Sequence, residues 1–544
     1  MKAILLGCVL ILGSGAVMAE TPAPTPAPLA ETERLFLELL AARDASAYLE
    51  TGHVDEWEGA RLEAWNERLV ARHRALVANL ARLDADALAP ADQAALAAIR
   101  ITLSDIGDPA PAAADGANAE PKCKDRHDAS LDREGLTGAL RACFREIGNN
   151  LQFEGGTVDR GGALELLAEL DEPARRKAVF DAFGPLWTAI NGANEPDSPY
   201  RRVLRMAAAN DPVSSSGITA AARSIGVTVD EVERWLVQIL AAWRDANPPD
   251  LVEPWDYRYA VGEANRRLTE HFPPGAVITL SNRYYRDLGV DLDALGVVYD
   301  IKDRPGQSPL AYCDFLVRGR FTADDGWDKT IARVVGRYEE GGLGSLNELV
   351  HENGHATHIS AIRNRPAFTD WTDTLFTEAF ADVPSWSVFE PAWQKKYLGT
   401  ALPLDVSLRG QFGTAMLDVA WSLFELRLLR DPTLDPNALW TDITHEYLRI
   451  KPHPELAWWA VRVQLSGPGY MINYGLGSVL TAEMRAATAA AIGPFDAGNP
   501  KWHAWTADKL LRYGSEKTSR QLLDGLLGRP LSPDALLAEL KRIK

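Results

Sequence analysis

Cysteine is scarce in this chain, four in 544 residues, and no two stand in C-x-x-C spacing, which excludes a cysteine-rich structural zinc site. A basic excess is missing too. The 57 Lys and Arg face 75 Asp and Glu, a formal net charge of −18, and no basic stripe offers a footprint for nucleic-acid phosphates. The acids are spread along the chain instead of forming a tail, which suits solubility and would favour basic peptides only at low salt. Past the N-terminus no run is long and apolar enough to span a bilayer. No unit repeats at a fixed period, so a solenoid is not indicated. Histidine is also rare, 10 in all, yet His351, His355 and His358 crowd into the run NELVHENGHATHIS.

The N-terminus reads as an export signal. Residues 1–19 carry Lys2, an apolar run from Ala3 to Val17 and a small-residue cleavage site at Ala19. The apolar core ahead of Cys8 is too short for a lipoprotein signal, so a periplasmic or secreted protein is expected. Residues 20–30, ETPAPTPAPLA in the main, read as an extended Pro/Ala linker, and residues 31–544 as the folded body. In an oxidising compartment Cys123 and Cys143 are close enough in sequence to pair. That would leave Cys313 free and buried in the strand-like LAYCDFLV.

The body is long enough for two lobes or subdomains. Its periodicity is mainly helical: VDEVERWLVQILAAWRDA, for example, repeats apolar residues at three-to-four spacing with a polar opposite face. Residues 108–121, rich in Ala, Pro, Asp and Gly, read as a mobile loop. Between Ala276 and Val335 the runs AVITL, LGVVYDI, LAYCDFLV and TIARVV predict a small antiparallel sheet just ahead of the histidine run. An edge strand there would suit an extended peptide, although a purely structural sheet has the same pattern.

His351, Glu352 and His355 match H-E-x-x-H. Four residues make about one helical turn, so both imidazoles leave one helix face toward a single metal with the carboxylate beside them. Ser345 and Glu348 have capping-box spacing after a glycine-rich loop, which predicts the helix start. A catalytic zinc site needs a third protein ligand, and Glu378 in LFTEAFADVPSW supplies a carboxylate. Asp382, one turn on, is placed to hold a ligand imidazole through its other nitrogen. Imidazole donors favour zinc or another transition metal over magnesium and calcium. His358 lies one turn beyond His355 but off its direction, and is expected to pack behind the site or support it. His453, between prolines in KPHPEL, reads as a loop residue.

HENGH followed by TEAFADV resembles angiotensin-converting enzyme and its relatives. The longer run HENGHATH, with EPWDYRYA (Glu253 to Ala260) and VVYDIKDRPGQSPLAYCDF, is similar to the oligopeptidases related to thimet oligopeptidase. Both resemblances imply a mainly helical, two-lobed metallopeptidase with a central substrate channel, one catalytic zinc ion and short peptides as substrates. They also imply N-terminal helices that form a lid. They differ on the third ligand: alignment on E-A-x-x-D selects Glu378, whereas alignment on Pro384-Ser385 selects Asp382. In RVQLSGPGYMINYGLGSVLTAEMR, Arg462, Gln464 and Tyr474 fall where converting-enzyme relatives carry a basic carboxylate anchor, a histidine and a catalytic tyrosine. Gln464 departs from that pattern, because an amide donates a hydrogen bond but does not titrate.

The resemblance thus implies His351, His355 and Glu378 as metal ligands, with Glu352 as general base. Tyr474 and Gln464 would face the oxyanion, while Arg462 and Tyr470 would bind substrate. Tyr470 and Tyr474 could equally be a packed i, i+4 pair. Two further readings stay open, a catalytically inactive peptide-binding relative and a structural zinc protein. Neither needs a general base. A monomer is the default expectation.

Overall fold

The computed structural model describes residues 27–50, 62–107, 109, 121–210, 217–272, 275–301, 311–322, 326–338 and 341–543. The expected signal peptide and most of the expected loop at 108–121 lie outside them, as does part of VVYDIKDRPGQSPLAYCDF. Among the described residues the fold is mainly helical, with only short strands. No described helix is long and apolar enough to cross a membrane.

The helices form for the reasons their sequences give. Val229–Ala246 starts at a capping box in which Thr228 and Glu231 satisfy each other's backbone N–H, and it buries Val232, Trp235, Leu236, Ile239, Leu240 and Trp243 along one stripe. That stripe packs on Leu404–Arg430, a 27-residue helix buried on most sides. The metal helix Gly342–Ala361 and the glutamate helix Thr374–Ser385 pack closely on each other, and Ile472–Ile492 packs on both the glutamate helix and Leu404–Arg430. The linker expected through residue 30 ends earlier, because the first described helix, Ala27–Glu50, already includes the fully buried Leu29. This helix and Leu62–Leu80 build a small separate core around Phe36, Leu39 and Leu76. Ion pairs tie it to the rest: Arg318 with Asp44 at 2.5 Å, and Arg365 with Glu33 at 2.7 Å and Asp92 at 2.8 Å.

The sheet differs from expectation in two ways. AVITL belongs to a helix, Ala276–Asp287, whose buried Val277, Ser281, Tyr284 and Tyr285 follow helical spacing; its β-branched start disguised that period. The sheet itself is mixed. The central strand Ile331–Val335 pairs parallel with Val298–Asp300 and antiparallel with Tyr312–Val317. Tyr312–Val317 is therefore an edge strand. The metal helix packs against both it and the central strand. Cys123 and Cys143 form the disulfide that their proximity suggested.

Candidate metal centre

The metal helix starts at Gly341, not at the expected Ser345 capping box. Positive φ at Gly341 (75°) and Gly342 (93°) turns the chain into the helix, and the Gly344 N–H is capped by Asn265 Oδ1 at 3.0 Å. His351 and His355 then project from successive turns with their Nε2 atoms 3.1 Å apart. Glu378 Oε2, from the neighbouring helix, lies 3.4 Å from His351 Nε2 and 3.7 Å from His355 Nε2. Zinc bonds of about 2.0–2.1 Å at tetrahedral angles separate donors by about 3.3–3.4 Å, so the trio fits one ion. These three residues can hold a metal. Asp382 instead bonds His351 Nδ1 at 2.8 Å, on the far side of that ring, where it fixes the tautomer and leaves Nε2 free to ligate.

The electrostatics agree. Burial opposes charge on His351, but Asp382 and Glu378 overcome it and favour the imidazolium. Burial raises the Glu378 carboxyl, yet the two histidines hold it well below the usual range. A carboxylate that tightly drawn to two imidazoles is what a shared cation would stabilise further. Accordingly, Glu378→Gln should empty the metal site, whereas Asp382→Asn should weaken binding by about 10- to 100-fold without abolishing it. Zinc stoichiometry and competitive chelator titration of both variants check this. The reverse order would transfer the third ligand to Asp382.

Glu352 is 6% exposed and borders the same cavity of about 260 Å³ as His355, Glu378, Trp371 and Cys313. Burial raises its pKa, and His351 and His355 pull it back. Cys313 was expected to be sealed in its strand. It is unpaired, as expected, but lines this cavity, with burial pushing its thiol well above the usual range. A second cavity of about 550 Å³ shares Thr374 with the first and is lined by Tyr470, Asn473, Gly469 and Arg141.

Tyr470 lines the second cavity, the Tyr474 ring lies 5.9 Å from its own, and both are within the field of Glu378. Tyr474 is pushed up to about 12 by burial, so it stays protonated. Gln464 Nε2 donates to the Tyr474 oxygen at 3.0 Å, which leaves the phenol O–H free to donate elsewhere. The segment is held from behind by the long helix: Glu425 accepts from Met471 N at 2.8 Å, and Ser422 Oγ donates to Met471 O at 2.6 Å. Arg462 lies over the Tyr474 ring at 4.7 Å and pairs with Asp418 at 2.6 Å. His453 pairs with Glu253 at 3.0 Å and Glu455 at 2.9 Å, and stands away from the metal group.

His358 is fully buried against Trp371, Phe376 and Phe380, and neither ring nitrogen has a hydrogen-bond partner among the described residues. Burial, then His355, pushes its pKa down to about 3 from the usual 6.5. The unfolded chain therefore binds the proton more readily. Stability from this group is full above pH 6.5 and is lost as pH falls toward 3. In His358→Leu the melting temperature should fall less between pH 7 and pH 5 than in the parent; equal slopes would exclude this residue as an acid-sensitive element.

Several residues reach this region without a sequence signal that places them there; Glu348 reads only as a capping partner, and Arg258 only as part of EPWDYRYA. Glu348, pushed up to about 7 by burial and by Glu352, sits one turn before His351. Trp371 packs against both His355 and His358 and has only its place in a loop to mark it. Arg160 and Arg258 lie near Arg462 through tertiary packing alone.

No family model matches the chain, and no curated protein does. Solved structures do. The crystal structure of M32 carboxypeptidase from Deinococcus radiodurans R1 is similar with a TM-score of 0.54 at 15% identity, covering 94% of this chain and 97% of that one. A structure described as "The Structure of CHT" gives a TM-score of 0.55 at 15% identity, covering 94% and 98%. Trypanosoma cruzi metallocarboxypeptidase 1 gives 0.49 at 15% identity, covering 95% and 99%. At such identity the likeness is one of architecture: this chain has the mainly helical fold seen in an M32 carboxypeptidase over nearly its whole length.

Proposed function

We propose that the protein hydrolyses peptide bonds in short peptides, using one zinc ion held by His351, His355 and Glu378. The observation that carries this reading is the convergence of those three donors, with the buried Glu352 opening on the same cavity but not among them. Zinc bound there supplies Lewis acidity to the attacking water and to the scissile carbonyl. Glu352 takes the water proton and returns it to the leaving amine; its raised pKa makes it a better proton acceptor than an exposed carboxylate. Tyr474 donates its free O–H to the oxyanion, and Gln464 orients the phenol. Where converting-enzyme relatives have a histidine, Gln464 supports the tyrosine without titrating.

An extended substrate would add along the outer edge strand Tyr312–Val317, whose Tyr312 and Cys313 border the cavity. Arg462 would anchor the terminal carboxylate beside Tyr470. The converting-enzyme resemblance favours release of dipeptides and the oligopeptidase resemblance favours internal cuts. The carboxypeptidase among the similar folds favours release of single residues. An inactive binding relative would have no use for a buried base on the metal cavity.

Purified protein incubated with short peptides, with free and amidated C-termini, tests the reading by mass spectrometry. Cleavage is expected to stop with chelator and return with zinc, and to fall on amidation. The fragment sizes choose among the three registers. Indifference to amidation would remove the role of Arg462, and no cleavage by folded, zinc-loaded protein would refute the hydrolase.

A further inference from the structure

We infer that Asn353, the residue after Glu352, is a positioning residue: its side-chain amide locks the roll of the metal helix and so aims Glu352, His351 and His355. The inference rests on the zinc-hydrolase reading and says what holds that geometry in place. At about 100° per residue, Asn353 lies about 180° from the midpoint between His351 and His355, on the helix face turned away from the metal donors. There it is fully buried. Both ends of its amide are bonded: Nδ2 donates to Ser281 Oγ at 2.8 Å, and Oδ1 accepts from the Tyr299 hydroxyl at 3.0 Å. Ser281, itself fully buried, belongs to the helix Ala276–Asp287, and Tyr299 to the strand Val298–Asp300, so the two bonds reach separate elements. The Tyr299 hydroxyl is also 2.8 Å from Asn282 Oδ1. Tyr285, from the helix of Ser281, donates to the Val350 carbonyl at 2.6 Å, three residues before Asn353 on the same back face.

Stability does not call for an amide at this position. A buried amide obliges the fold to supply partners, and apolar groups of the same shape on both sides would serve the core nearly as well. What the hydrogen bonds add over apolar packing is direction. Direction matters because the working atoms stand away from the helix axis. A side-chain tip about 5–6 Å from the axis moves about 1 Å for a roll of about 10°, and a misplacement of about 1 Å at a reacting centre costs on the order of 10²-fold. A shared metal would tie the two imidazoles to Glu378 from the front. Glu352 is not among those donors, and among the described residues no side-chain hydrogen bond holds it. Its aim therefore depends on the roll of the backbone it stands on, which the Asn353 amide braces from behind.

The test combines zinc competition titrations, steady-state kinetics on a short peptide and melting curves that show each variant folded at the assay temperature. Asn353→Leu should bind zinc about tenfold more weakly and, once loaded, show kcat lowered about 10- to 10²-fold with KM within about threefold. Tyr299→Phe and Ser281→Ala each remove one hydroxyl and keep the amide. Each should lower kcat by a smaller factor, and neither should lower it further in the Asn353→Leu background, where the bond is already gone. An Asn353→Leu protein that melts earlier but keeps zinc affinity and kcat within about twofold of the parent makes the amide a core group only and overturns the inference. Hydroxyl effects that multiply with that of Asn353→Leu overturn it as well. Should Asn353→Leu not fold, the two hydroxyl variants carry the test, and kcat within about twofold of the parent in both overturns it. If the parent binds zinc but cleaves no peptide, the hydrolase reading falls, while the zinc titrations still decide whether the amide sets the ligand geometry.

Discussion

Glu352→Gln is expected to lower kcat/KM by about 10²- to 10⁴-fold while leaving one metal bound per chain. Gln has the shape of Glu but accepts no proton, so the variant removes the base and little else. Glu352 is 6% exposed and is not among the three donors that converge within 4.8 Å. Metal content should therefore be unchanged. Thermal stability should hold or rise, since a carboxylate that burial disfavours is replaced by a neutral amide. In the parent, the acid limb of kcat/KM should sit above the ordinary carboxylate range, because a base raised by burial loses its proton at higher pH. Three readings distinguish the outcomes: full activity excludes Glu352 as base, lost metal makes it a ligand, and lost activity with retained metal is the expected result.

The centre of this site was legible because its chemistry is local. H-E-x-x-H needs only one helical turn, and Glu378 with Asp382 needs only one more; the structure brings Glu378 to the imidazole nitrogens and sets Asp382 behind His351. Elements whose form depends on neighbours were misread. Ser345 has the capping spacing, but two glycines with positive φ and Asn265 from a distant segment set the helix start earlier. AVITL has strand propensity, yet Tyr284 and Tyr285 bury with Val277 on a helical period. The mixed sheet depends on Val298–Asp300 crossing to the far side of Ile331–Val335, which no alternation reveals. Arg160 and Arg258 come near Arg462 only once three separate segments pack, which no spacing reveals.

Gly354, the middle residue of HENGH, carries a second large effect. A Cβ built there would come 2.8 Å from Ala381 Cα and 2.9 Å from Ala381 O. Those atoms are backbone, so nothing but a shift of the helix Thr374–Ser385 against the metal helix makes room. Glu378 lies on that shifting helix, one turn before Ala381. Ala at this position gains about 1 kcal/mol of helix propensity, which offsets part of an overpacking cost of about 1–3 kcal/mol. Stability alone is thus a poor witness. The ligand geometry has no such compensation, and a displacement of about 1 Å at a reacting centre costs on the order of 10²-fold. Gly354→Ala should therefore lose zinc affinity and activity out of proportion to its change in melting temperature, and Gly354→Val should lose both functions nearly completely. Zinc competition titrations alongside thermal melts separate the two effects. If Gly354→Ala binds zinc as tightly as the parent, the contact between the two helices is not what holds Glu378 against His351 and His355.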